Sequence, residues 1–181
     1  HLTPAWFIPA VGNVVVPLAG AQLGYVETSW LFFSTGLVFW IVLLTLGMNR
    51  LIFHDPIPQR LVPTLVILIA PPAVAFLAWY RLTGQVDPIG RILINSAYLF
   101  LAVVMTQAWQ FRRLPFALSW WALSFPVAAL ALASFQFARV SQSQTHALLA
   151  WVLLAMLAAI VAGLSIRTLI GIARREICRP E

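Results

Sequence analysis

Lysine is absent from this 181-residue chain: all eleven basic residues are arginine, set against only five acids. The arginines are dispersed through the connections between apolar blocks. The net charge of +6 therefore reads as membrane topology and excludes a nucleic-acid-binding face. Cys178 is the single cysteine, which rules out an internal disulfide and a cysteine metal cluster. His1, His54 and His146 lie far apart and show no HExxH-type spacing, so no metal site is expected. The acids Glu27, Asp55, Asp87, Glu176 and Glu181 all fall in loops or at the tail. A paired-carboxylate hydrolase, a rhomboid-like protease and a zinc-dependent membrane protease each lack the residues they need. No enzyme activity and no cofactor are expected.

What the chain has is apolar sequence: 62% of its residues are hydrophobic, 9% are charged, and the mean hydropathy is +0.93. No soluble domain of this size needs so little polar surface, and the composition defines an integral membrane protein. The apolar blocks run about 20 residues without strict alternation, whereas barrel strands would be about 10 and alternate. Because the blocks recur along the whole chain, a signal peptide does not account for them.

Six helical spans can be drawn: Pro4 to Ala21, Ser29 to Phe53, Leu61 to Leu82, Ile89 to Phe111, Phe116 to Ala138 and Thr145 to Ile172. The expected fold is an all-α polytopic bundle forming one transmembrane domain over residues 1–181. Short connections make neighbouring helices antiparallel hairpins. Thr83-Gly84 reads as a helix stop, Asp87-Pro88 as an N-cap followed by proline at the first helical position, and Thr28 or Ser29 as a cap for the second span. His54 to Arg60, with two closely spaced prolines, reads as a compact loop.

Five prolines fall within apolar segments, and only in every second one: Pro9 and Pro17, Pro71 and Pro72, then Pro126. A helix-internal proline removes a donor and crowds the carbonyl four residues back, which bends the helix and frees that carbonyl. In lipid a freed carbonyl must find protein or water. The alternation predicts kinked inner helices around a polar path and straight helices outside them. Pro17, Pro71 and Pro126 would free the carbonyls of Asn13, Ile67 and Ala122, each a candidate half-helix junction whose positive end faces a passing anion. An isolated proline more often makes a bend with no ligand.

Arginine counting sets orientation. Arg50, Arg60, Arg112, Arg113, Arg174, Arg175 and Arg179 follow the even spans, while Arg81, Arg91 and Arg139 lie on the other side. The positive-inside rule then places both ends of the chain in the cytoplasm. Arg167 lies within the last span and would snorkel to the interface or pair inside the protein.

The kinked spans carry no charge at their centres, which disfavours a proton relay through carboxylates. They carry small neutral groups instead: Asn13, Thr64, Ser119, Ser124 and Ser134. Such groups can replace part of an ion's hydration shell without trapping it, and a neutral pore with basic mouths suits an anion. For any single hydroxyl, bonding back to its own helix is the commoner role. Span six has a stripe of small residues, Ala155, Ala158, Ala159, Ala162 and Gly163, that reads as close helix packing. Trp6, Trp30, Trp79, Trp109 and Trp151 read as interfacial anchors, as does the pair Trp120-Trp121.

Two stretches carry a resemblance: Thr3-Pro4-Ala5-Trp6-Phe7-Ile8-Pro9 with Val11-Gly12, and Ser119-Trp120-Trp121-Ala122-Leu123-Ser124-Phe125-Pro126. Together with Leu68-Ile69-Ala70-Pro71-Pro72 they resemble the TehA-like family of tellurite-resistance proteins, C4-dicarboxylate (malate) transporters and plant slow anion channels. The resemblance implies a ten-helix protomer in which odd, proline-kinked helices surround a pore, and a homotrimer with one pore per protomer. On that footing this chain matches helices five to ten. His1 in place of methionine agrees with a piece of a longer protein. The resemblance also implies that a phenylalanine occludes the pore, and the matching residue is Phe125. Sequence physics alone would have Phe125 fill space beside Pro126. Leu123 stands where plant members tend to carry an aromatic, which leaves pore width and substrate preference open.

The expected function is transport of small anions such as chloride, nitrate or malate across the plasma (bacterial inner) membrane. Phe125 would be the gate, Pro9, Pro17, Pro71, Pro72 and Pro126 would shape the path, and Asn13 and Ser124 would line it. The alternatives are a proton-coupled dicarboxylate carrier and a non-transporting membrane scaffold or regulatory subunit.

Overall fold

The computed structural model describes residues 4–54, 59–107 and 116–174. His1, Asp55, Trp109, Arg112, Arg113, Arg175, Glu176, Cys178, Arg179 and Glu181 lie outside them. Among the described residues all regular structure is helical: α1 (Phe7–Gly20), α2 (Val26–Phe53), α3 (Ala70–Thr83), α4 (Pro88–Thr106), α5 (Ser124–Ser141) and α6 (Gln144–Ala173). Three 3-10 segments, Pro4–Trp6, Gln59–Ile69 and Leu118–Leu123, lead into α1, α3 and α5. The protein is thus an all-α polytopic bundle with the six expected spans. Five of them are long and apolar enough to cross a membrane, and α1 is a shorter apolar helix of 14 residues.

Several ends follow local chemistry. Gly84 closes α3 at φ +74°, a conformation open to glycine at no steric cost. Asp87 caps α4, its Oδ1 accepting from the Gly90 backbone N–H at 2.9 Å and from Trp79 Nε1 at 2.8 Å. Ser143 caps α6 after a two-residue turn, with Gln142 left-handed at φ 53°. The expected cap of α2 is corrected. The helix starts at Val26 with Tyr25 at its N-cap, and Ser29 is a buried interior residue whose hydroxyl donates to the Tyr25 carbonyl at 2.7 Å. A serine one turn into a helix bonds back to the preceding turn and competes for no free N–H.

The prolines divide the helices as the alternation predicts, by a different geometry. Pro9, Pro71, Pro72 and Pro126 each lie in the first turn of an α-helix, and Pro17 alone among the five is interior. The first N–H groups of an α-helix have no intrahelical acceptor, so proline costs nothing there. In spans three and five the chain instead changes from 3-10 to α geometry just ahead of the proline. Pro63, a further proline in the same apolar segment, lies buried within the 11-residue 3-10 segment. A 3-10 run of that length is unusual, and at about 2.0 Å per residue it stretches the span relative to an α-helix.

Span three is the trunk. Its most apolar 18 residues are 83% buried, against 22% for those of α2 and 17% for those of α6. Ala70, Ala73, Ala75, Ala78 and Phe76 are all essentially inaccessible, so small side chains bring neighbours close around one aromatic ring. α3 packs on α1 and on α5, while α2, α4 and α6 back α1, α3 and α5 respectively. The odd spans are therefore inside and the even spans outside. The outer helices expose Leu31, Val38, Phe39, Leu99, Leu148, Ile166 and Leu169. In water such a surface would drive aggregation; in a bilayer, acyl chains cover it.

The close approach of α1 and α2 rests on two glycines. A Cβ on Gly36 would meet Val14 Cγ2 at 2.5 Å and the Ala10 carbonyl oxygen at 2.8 Å, and one on Gly20 would meet Ser29 Oγ at 2.5 Å. The small-residue stripe of span six plays no such part within this chain. Ala155, Ala158, Ala159, Ala162 and Gly163 are exposed, and nothing lies within 4 Å of a Cβ placed on Gly163. Helix docking is decided by which face meets a neighbour, and the stripe faces away.

Candidate functional site: a neutral groove along the inner helices

Because α1, α3 and α5 run parallel, their 3-10 starts gather at one end, where the first packs on the second and the second on the third. Arg81, Arg91 and Arg139 lie at the other end. Along α5, Phe125, Leu132 and Gln136 share one face, since 11 residues at 100° per residue return within about 20° of the start. Phe125 is 51% exposed and Leu132 is 60% exposed, while Pro126, Val127, Leu130 and Ala133 between them are buried. That face is an open one of α5, and further along it Leu132 and Gln136 meet Leu77, Tyr80 and Arg81 of α3 and Leu18 of α1 around a recess of about 240 Å³. Phe125 stands one residue past the handover from 3-10 to α, with buried Pro126 fixing the backbone behind it.

The polar groups expected to line a path divide into two sorts. Asn13 and Ser124 are half-buried and spend their donors locally, Asn13 Nδ2 on the Pro9 carbonyl at 2.9 Å and Ser124 Oγ on the Trp121 carbonyl at 2.8 Å. Their oxygens keep acceptor capacity. Ser134 is fully buried and donates to the Leu130 carbonyl at 2.7 Å while accepting from Tyr98 Oη at 2.9 Å, which pins α4 to α5. Thr64 is buried as well. Ser134→Ala should destabilise the solubilised full-length protein by about 1–2 kcal/mol, because it strands the Tyr98 hydroxyl. Tyr98→Phe should cost less, since Ser134 keeps its bond to Leu130. Thermal unfolding of the two variants gives the order.

The tryptophans also divide. Trp6 and Trp151 are 56% and 62% exposed, as anchors should be. Trp30 and Trp79 instead meet edge to face at 5.7 Å, and Trp79 is tied to Asp87. Trp121 Nε1 donates to Thr168 Oγ1 at 3.1 Å and fastens the 3-10 start of span five to α6. At the far end Arg91 lies over the Phe137 ring at 5.6 Å, and His146 contacts that ring at 4.5 Å between centroids. His146 also pairs with Ser143, Nδ1 to Oγ at 2.8 Å. Among the described residues no group of three His, Cys, Asp or Glu side chains could hold a metal.

These features define a multi-pass α-helical membrane protein whose inner α-helices carry charge, among the described residues, only at Arg81 and Arg139 near their ends. The chain belongs to the SLAC1 family, described as voltage-dependent anion channel, which matches residues 1–169. It is 30% identical to the S-type anion channel SLAH3 of Arabidopsis thaliana over 167 residues, covering 92% of this chain and 26% of that protein. An uncharacterized transporter of Methanocaldococcus jannaschii is 28% identical over 159 residues, covering 74% of this chain and 45% of its own length. A tellurite resistance protein TehA homolog of Haemophilus influenzae is 28% identical over 130 residues, covering 71% and 39%. The chain thus spans about a quarter of the plant relative and less than half of the two prokaryotic ones.

Proposed function

We propose that this chain supplies three of the pore-lining helices of an anion-conducting membrane protein, with Phe125 as the gate. The carrying observation is the half-exposed Phe125 on an inner helix, followed by buried Pro126 and Val127. A large apolar ring at a narrow point blocks hydrated ions both sterically and by dewetting. Pro126, Pro71 and Pro72 hold the switch from 3-10 to α geometry beside it, and Pro9 and Pro17 shape span one. Asn13 and Ser124 offer acceptor oxygens that solvate without trapping.

On this reading the chain is the C-terminal six helices of a ten-helix protomer, the protomers assemble as a homotrimer, and both ends of the chain face the cytoplasm of a plasma or bacterial inner membrane. Span centres without titratable carboxylates favour passive conduction over proton coupling. The full-length protein in planar bilayers should give currents whose reversal potential follows the anion gradient and ignores a pH gradient. A reversal potential that moves with pH would instead establish the proton-coupled carrier, and a total absence of flux would leave a scaffold.

A further inference from the structure

Phe125 stands between two cross-helix ties with unlike surroundings. Further along α5, Ser134 Oγ accepts from Tyr98 Oη at 2.9 Å, in a stretch where Pro126, Val127, Ala129, Leu130 and Ala133 are buried. Ahead of the ring, Trp121 Nε1 donates to Thr168 Oγ1 of α6 at 3.1 Å, in a 3-10 segment, Leu118–Leu123, that contains no fully buried residue. The chain after Phe125 is thus held by packing, and the chain before it has far less. A segment with few buried contacts opens at low free-energy cost, so a single hydrogen bond there carries more weight. The bond reaches the ring in short steps. The Trp121 carbonyl accepts from the Ser124 backbone N–H and from Ser124 Oγ, the latter at 2.8 Å, and Phe125 is the next residue. A 3-10 helix turns about 120° per residue and an α-helix about 100°, so each residue that converts between them rotates the chain beyond it by about 20°. A slip of the Trp121 segment would therefore redirect Phe125.

We propose that Trp121 and Thr168 are positioning residues of the pore, a latch by which the outer helix α6 holds the Phe125 ring across the path. This latch rests on the reading of Phe125 as the gate, under which the present arrangement is the closed one. Thr168 lies near the end of α6 that the antiparallel hairpin brings beside the 3-10 start of span five. It acts on permeation only through Trp121 and Ser124. Releasing the bond removes an interaction that favours the closed arrangement, which shifts the population toward conformations with the ring displaced.

The test reads single-channel open probability of the full-length protein in planar bilayers, with potassium chloride on both sides. Thr168→Val keeps the branched shape and removes the acceptor. It should raise open probability about fivefold, the population shift that one hydrogen bond of ordinary net strength commands. Trp121→Phe removes the donor and should act alike, so either variant reports on the bond if the other fails to accumulate. Thr168→Ser keeps the hydroxyl and should restore the parent value. In a Phe125→Ala background Thr168→Val should change nothing, because no ring is left to hold. Unchanged open probability in Thr168→Val and Trp121→Phe at normal assembly would overturn the latch. An equal rise with and without the ring, or a Thr168→Ser variant that behaves like Thr168→Val, would also overturn it, by marking a general loosening of the α5–α6 hairpin. The gate reading itself fails, and the latch with it, if Phe125→Ala alone leaves conductance and open probability at the parent level.

Discussion

Phe125→Ala in the full-length protein is expected to raise anion current about tenfold or more, since each 1.36 kcal/mol removed from a barrier is worth a factor of ten. The ring is half exposed, while Pro126 and Val127 behind it are buried. Truncation should therefore empty space in the path without opening a cavity in the core. Assembly and unfolding temperature should stay near those of the parent protein. Unchanged current at normal expression and normal oligomeric assembly would remove Phe125 from the gate. A loss of stability of several kcal/mol would mean that the ring serves packing after all. The two roles thus separate on two instruments.

Gly36→Leu should be the most damaging single change for the α1–α2 hairpin. An added Cβ meets the Ala10 carbonyl oxygen at 2.8 Å and Asn13 Cβ at 3.0 Å as well as Val14. A backbone oxygen cannot swing aside as a side chain does, so the helices must separate. Overpacking of this kind costs about 1–3 kcal/mol for modest insertions, and leucine extends well beyond Cβ. A clear fall in the unfolding temperature of the solubilised protein, or failure to accumulate in the membrane, is the expected result. Gly12→Ala is the matched control, because nothing lies within 4 Å of its added carbon. Equal behaviour of the two variants would show that the close approach at Gly36 does not matter to stability.

The contrast between these glycines shows where sequence reading stops. Gly36 and Gly163 look alike in sequence, both in proline-free apolar spans, yet one is wedged against α1 and the other faces outward. The Ala/Gly stripe of span six was the more conspicuous signal of the two. Within this chain it meets no neighbour, because composition reports that a face can pack closely and not what covers it. Ser134 and Ser124 make the same point. Both are serines of span five ten residues apart; one is locked to Tyr98, and the other lies half-open beside Phe125. Arg81 is legible in the sequence as the arginine closing an inner span three residues before Gly84. Nothing in the sequence placed Gln136 on the same recess.

The sequence alone determined the membrane setting, the six spans, the hairpin order and the division into inner and outer helices. Each of these depends on local periodicity or on proline, and local patterns need no knowledge of distant residues. Tertiary structure decided the rest. It put 3-10 to α transitions where mid-helix prolines were expected in spans three and five, because Pro71, Pro72 and Pro126 sit where an α-helix begins and lacks acceptors for its first N–H groups. It chose which polar groups bind helices together, through pairs 36 and 47 residues apart such as Tyr98–Ser134 and Trp121–Thr168. It left Phe125 half exposed and gathered Arg81 and Gln136 around one recess, since which side of a helix is open depends on what the other helices cover.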